Sequence, residues 1–158
     1  MANYYLDSST LVKRYVRSER GHAWTATLCA PASGNLIFIS EASFAEVVAA
    51  FCRMARATPR RASIAQRDSF ITLFRQHDAD ASYTAVPTDH AIYTRGADLC
   101  RLHPLRAYDA VQLACALATR DDARAAGVTP PKFVCADATL LGVAAAEGLA
   151  VENPNDHP

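Results

Sequence analysis

An alternation of short apolar runs with helical patterns constrains this chain more than any other feature. The runs are Asn3 to Leu6, Leu36 to Ser40, Ser82 to Val86, Lys132 to Ala136 and Ala150 to Glu152, each of strand length. Between them, apolar residues recur at helical spacing. Ser9 to Arg17 carries Leu11, Val12, Tyr15 and Val16 on one face, and a short helix is expected from about His22 to Cys29. Longer helices are expected over Glu41 to Ala57, from Pro59 to about His77, over Thr88 to Leu102 and over Ala107 to Ala125. Strands that alternate with helices pair in parallel, with the helices covering both faces of the sheet. The expected fold class is therefore α/β, a three-layer α/β/α sandwich with a mostly parallel central sheet.

The 158 residues fit a single domain, 1–158, in which about 68–70% of the unfolded surface can be buried. No stretch reaches the ~20 apolar residues that span a bilayer, and the opening MANYYLDSST has neither the basic start nor the apolar region of a signal peptide. The expectation is a cytoplasmic protein with no membrane partner. Five cysteines, Cys29, Cys52, Cys100, Cys115 and Cys135, are widely spaced and odd in number, which favours reduced thiols over disulfides or a zinc site. Net charge is zero, so no global field points to nucleic acid. Yet 14 of the 16 basic residues are arginine, the side chain suited to bidentate phosphate contacts wherever several converge.

The carboxylates separate by how well ordinary roles explain them. Asp78, Asp80, Asp121, Asp122 and Asp156 lie in polar surroundings; Glu41 and Asp89 lie at expected helix starts, where the dipole or a cap accounts for them. Four are harder to place. Asp7 and Asp137 follow directly on expected strands, so a parallel sheet puts both on one rim, the rim where ligands bind in open α/β sheets. Glu46 falls well inside its expected helix beside Ala42, Ser43, Ala49 and Ala50, and Asp109 shares a face with Leu113 and Ala116. Capping or an arginine partner would explain any one of them. Together they form an oxygen-rich set that suits a hard divalent cation and would otherwise raise one another's pKa.

These residues carry a resemblance. Tyr4-Tyr5-Leu6-Asp7-Ser8-Ser9, Ser43-Phe44-Ala45-Glu46-Val47, the run Leu105 to Ala114 around Asp109, and Phe133-Val134-Cys135-Ala136-Asp137 resemble the four acidic motifs of the PIN domain. Their order and spacing, with the trailing Gly148 to Pro154, are similar to the VapC toxins of toxin–antitoxin pairs. The resemblance implies an endoribonuclease dependent on magnesium or manganese, which cuts RNA phosphodiesters. It implies Asp7, Glu46, Asp109 and Asp137 as metal ligands, with Ser9 orienting the first carboxylate or a metal-bound water. It also implies a homodimer and a cognate antitoxin protein as partners. Lys13, Arg14, Arg17 and Arg53 are candidates for phosphate contacts, and solvated helix faces explain them equally. The segment 58–80 matches none of the motifs, so its helix is where partner or substrate choice would differ.

Rival readings make distinct demands. A haloacid-dehalogenase-like phosphatase needs an aspartate two residues after Asp7, where this chain has Ser9. A phosphoacceptor receiver needs an acidic pair near the first strand and a late lysine, and neither is apparent. The remaining alternatives are a catalytically silent PIN-like partner-binding module and a PIN nuclease of RNA processing with no toxin role.

Overall fold

The structure, a computed structural model, describes residues 2–157. Five strands form one wholly parallel sheet: β1 (Asn3–Leu6), β2 (Leu36–Ser40), β3 (Thr84–Val86), β4 (Lys132–Val134) and β5 (Val151–Glu152), in the order β3-β2-β1-β4-β5. The helices are α1 (Ser8–Tyr15), α2 (His22–Leu28), α3 (Ser43–Arg56), α4 (Ile64–Ala79), α5 (His90–Leu102), α6 (Ala107–Ala125) and α7 (Ala138–Ala146). Both faces of the sheet are covered. Side chains alternate across it, so Tyr5 and Phe133, paired in register, point into one core with α5, α6 and α7. Leu6 and Val134, one residue further on, point into the opposite core with α1 to α4. Burial on both faces is why the strands read as continuous apolar runs rather than alternating ones. The three-layer α/β/α sandwich expected from the sequence is the observed fold.

Helix boundaries shift where local hydrogen bonds outbid the apolar pattern. The helix expected from Pro59 starts instead at Ile64, because Ser63 and Gln66 form a reciprocal capping box: Gln66 N donates to Ser63 Oγ at 3.1 Å and Ser63 N to Gln66 Oε1 at 2.8 Å. The helix expected from Glu41 starts at Ser43. Glu41 is thus not a first-turn residue, and its Oε2 accepts from Thr88 N at 3.1 Å. That shift moves Glu46, expected well inside the helix, into the first turn. Asp89 caps α5 as expected, accepting from Ile92 N at 3.0 Å. Helix α7 was not among the expected helical segments; Asp137 caps it.

Two details fix the frame of the site. Helix α6 is buried almost continuously from Ala110 to Leu117, and its alanines let it lie close against the sheet and α5. The C-terminal turn Pro154–Asp156 rests on Gly21, whose φ of +79° and bare Cα admit the Pro154 carbonyl; a Cβ there would lie 2.1 Å from that oxygen. Among the described residues, no helix is long and apolar enough to cross a membrane.

Candidate active site

The strand order places β1 between β2 and β4, so the connections leaving the C-terminal ends of β1 and β4 diverge to opposite faces of the sheet. A crevice at such a switch point is where open α/β sheets bind ligands. It is here a pocket of about 430 Å³, lined by Asp7, Ser9, Glu46, Asp109 and Asp137. All five residues singled out from the sequence border it. Arg53, Arg106 and Tyr108 complete much of its rim.

Each acid is placed by a different element. Asp7 ends β1 and caps α1, the ordinary explanation for an aspartate in this position, and it also borders the pocket. Its Oδ2 accepts from Ser9 N at 3.1 Å, Ser9 Oγ at 2.5 Å and the Cys135 thiol at 3.1 Å. The residue is buried, and that burial raises its carboxyl pKa, although the Ser9 and Cys135 hydrogen bonds pull the other way. Asp137 is likewise a cap, its Oδ1 accepting from Thr139 N at 2.8 Å and Leu140 N at 3.0 Å. Asp109 stands in the first turn of α6. Burial, then the negative charges of Asp137 and Glu46, push its carboxyl up, while Arg106 opposes them.

The fourth acid depends on a residue that motif spacing did not single out. Gln112 is fully buried beneath the pocket; its Nε2 donates to Glu46 Oε2 at 2.6 Å and to Ser43 Oγ at 2.9 Å, and its Oε1 accepts from Tyr5 at 3.0 Å. Ser8 Oγ donates to the same Glu46 oxygen at 2.7 Å. A glutamine in the apolar run Ala110 to Leu117 was the available signal, since a buried amide demands partners. Cys135 is a second unsuspected member. Besides binding Asp7 it accepts from Asp137 N at 3.2 Å, and Ala136 N donates to Ser9 Oγ at 3.0 Å, so β1 and β4 are latched together where both acids emerge. Burial pushes the Cys135 thiol up, keeping it a neutral donor to the carboxylate.

The basic candidates divide. Lys13 is buried and bound to the Arg20 carbonyl at 2.9 Å and to Glu19 at 3.4 Å, and Arg14 is bound to Tyr83 and the Cys29 carbonyl. Both are engaged within the chain, so neither is the free phosphate contact or the solvated helix-face residue weighed for it. Arg17 is exposed and does not line the pocket, whereas Arg53 does. His103 lies elsewhere, with Nε2 at 2.6 Å from Glu147 Oε1.

The donor set fits a hard divalent cation. Every candidate ligand is a carboxylate or hydroxyl oxygen, and none of the ion pairs among the described residues involves Asp7, Glu46, Asp109 or Asp137. Arg106 offsets part of the charge at Asp109, and the remainder is left for something outside the chain to balance. Among the described residues no three Asp, Glu, His or Cys side chains are grouped tightly enough to enclose an ion unaided. Magnesium does not require it, since it keeps several waters and binds through one or two carboxylates plus substrate phosphate.

Fold and pocket together define an α/β protein with an acidic centre at the sheet's switch point. The PIN domain family matches residues 4–123, a span that includes Asp7, Glu46 and Asp109, and the chain belongs to that family. Among solved structures it is similar to a chain in the crystal structure of VapBC2 from Rickettsia felis bound to a DNA fragment from their promoter. The TM-score is 0.62 at 14% identity, covering 96% of this chain and 98% of that one. Such a likeness speaks for the fold. No curated protein sequence matches the chain significantly.

Proposed function

We propose that this PIN domain is a metal-dependent endoribonuclease acting as the toxin of a toxin–antitoxin pair. The observation that carries the reading is a single pocket bordered by four carboxylates, none of them in an ion pair among the described residues. Asp7, Glu46, Asp109 and Asp137 would hold magnesium or manganese, which supplies charge neutralisation at the phosphodiester and a more acidic attacking water. The chain's own contribution is positioning. Gln112 and Ser8 fix one oxygen of Glu46, Ser9 and Cys135 fix one oxygen of Asp7, and the α7 amides hold Asp137. Arg53 and Arg106, on the rim, are placed to meet phosphate. Single-stranded or looped RNA suits a recessed site, because its backbone can be drawn in where a regular helix cannot.

Likeness to a chain of a VapBC2 complex supports the toxin role and a cognate antitoxin; a homodimer and a cytoplasmic site of action belong to the same proposal. The deciding experiment is RNA cleavage by purified protein. Cutting is expected with magnesium or manganese and lost in chelator, in Asp7→Asn and in Asp109→Asn. Equal activity in all of these would refute the mechanism. Growth arrest on expression, relieved by the product of an adjacent small reading frame, tests the toxin role separately. A catalytically silent module would show no manganese affinity by calorimetry.

A further inference from the structure

The acidic pocket does not stand alone on its side of the molecule. A second hollow, of about 400 Å³, shares Ser9, Val12, Ala50 and Arg53 with it and extends along α3 to Arg61. A third, of about 450 Å³, meets the second at Ala57 and is lined by Arg56, Arg60 and Arg67, between the end of α3 and the first turns of α4. Through these shared lining residues the three hollows follow one another as a trail from the carboxylates to Arg56, Arg60 and Arg67.

Most of the arginines that line these hollows are unpaired. Arg53, Arg56, Arg60 and Arg106 take part in no ion pair among the described residues, and all four are exposed. The acids near the trail are already engaged: Glu19 with Lys13 and Arg61, and Asp68 with the neighbouring Arg67. The first turn of α4, where the third hollow opens, carries no acid to offset its dipole. Four of the six arginines that line the hollows thus have no ion-pair partner among the described residues, and Arg67 shares its guanidinium with the exposed Asp68.

We infer that Arg56, Arg60 and Arg67 form a phosphate-backbone subsite, which grips a single RNA strand several nucleotides away from the bond positioned at the carboxylates. This rests on the nuclease reading of the acidic pocket and adds where the strand runs. Ten residues of α3 separate Glu46 from Arg56, a rise of ~15 Å. At ~3.4 Å per nucleotide of a stacked strand, that is about four nucleotides. The subsite carries no aromatic platform, so it holds the backbone without reading bases. Its role is to keep a flexible strand registered on a centre whose own charge repels phosphate until a cation is present.

The test is metal-free binding, which needs no cleavage. Asp7→Asn protein is titrated with fluorescein-labelled single-stranded RNA of 4 and 12 nucleotides, in chelator, from 50 to 300 mM salt. The 12-mer is expected to bind about tenfold or more tighter at 50 mM, with a steeper salt dependence. Adding Arg56→Gln, Arg60→Gln and Arg67→Gln should remove that advantage and lower the slope of log K against log salt by about 2, since each single-strand phosphate contact contributes ~0.7. Should the triple variant lose its thermal transition, Arg60→Gln alone is read in its place, with an expected fall of about 0.7. Equal affinity for the two lengths, or an unchanged slope, overturns the subsite. So does a 12-residue polyglutamate peptide that depends on these arginines while RNA does not, which would mark an acidic-peptide site. Cleavage in the presence of a flat length dependence removes the subsite and leaves the nuclease; a length-dependent slope without cleavage does the reverse.

Discussion

Replacing Gln112 with leucine tests whether the acidic centre is held from below. The side chain is wholly buried, and leucine approximates its volume, so little cavity is made. Four hydrogen bonds are lost, those to the Ser8 and Ser43 hydroxyls among them. One is the 2.6 Å hydrogen bond to the Glu46 carboxylate, of the charge-assisted kind worth about 1.5–3 kcal/mol. Another is the acceptor for Tyr5, whose buried hydroxyl would fall back on the Ser40 and Cys115 side chains beside it, at about 0.5–1.5 kcal/mol. Glu46 is only partly buried and keeps Ser8, so water and that hydroxyl recover much of the first loss. The expected net cost is about 2–4 kcal/mol, which for a chain of this size lowers Tm by roughly 4–16 °C. Chemical denaturation at pH 7 in chelator measures it, and a double-mutant cycle separates the causes. Tyr5→Phe in the Gln112→Leu background removes the hydroxyl that has lost this acceptor, so the pair should cost about 0.5–1 kcal/mol less than the sum of the single variants. A cost below about 0.5 kcal/mol for Gln112→Leu would refute the claim that this amide holds the acidic centre from below, and strict additivity in the cycle would refute its coupling to Tyr5.

Two further outcomes can be checked with thermal melts. Asp7 has a carboxyl pKa raised by burial, so in the fold its ionised form is penalised: the penalty is full above the folded-state pKa and absent below the ordinary carboxylate pKa. Asp7→Asn, which can still cap α1, should therefore raise Tm at pH 7 in chelator, with the gain shrinking as pH falls toward 4; a gain independent of pH would contradict the burial argument. Gly21→Ala should destabilise by more than about 1 kcal/mol, through its positive φ and the Pro154 carbonyl in the way of a Cβ, and limited proteolysis should release the C-terminal turn sooner.

The alternation of strands and helices was legible because burial on both faces of a parallel sheet writes itself into sequence as short apolar runs. Helix α6 was readable to its ends, Ala107 to Ala125, for a related reason: its apolar face is long and its start follows His103-Pro104. Boundaries set by polar contacts were not legible in the same way. Whether a helix starts at Pro59 or Ile64 is decided by a hydrogen-bonded pair, Ser63 and Gln66, that competes locally with the apolar pattern. Similarly, Glu46 entered the first turn of α3 because Ser40 and Glu41 are engaged elsewhere, in bonds to Ala42 N and Thr88 N.

The sequence by itself determined the layers, the parallel sheet and the four acids, since apolar periodicity and the unusual cost of carboxylates among small residues are both local properties. Only the tertiary structure decided what holds those acids. Gln112 reaches Glu46 across 66 positions, and Cys135 reaches Asp7 across 128. No local pattern encodes such pairings; they exist because β1 lies beside β4 and α6 lies beneath α3's first turn. The same holds for the basic residues. Lys13 and Arg14 follow Asp7 closely in sequence yet are consumed by the core, whereas Arg53 stands at the pocket and Arg56 further along the same helix. Which charges remain available to a ligand depends on which ones the fold has already satisfied.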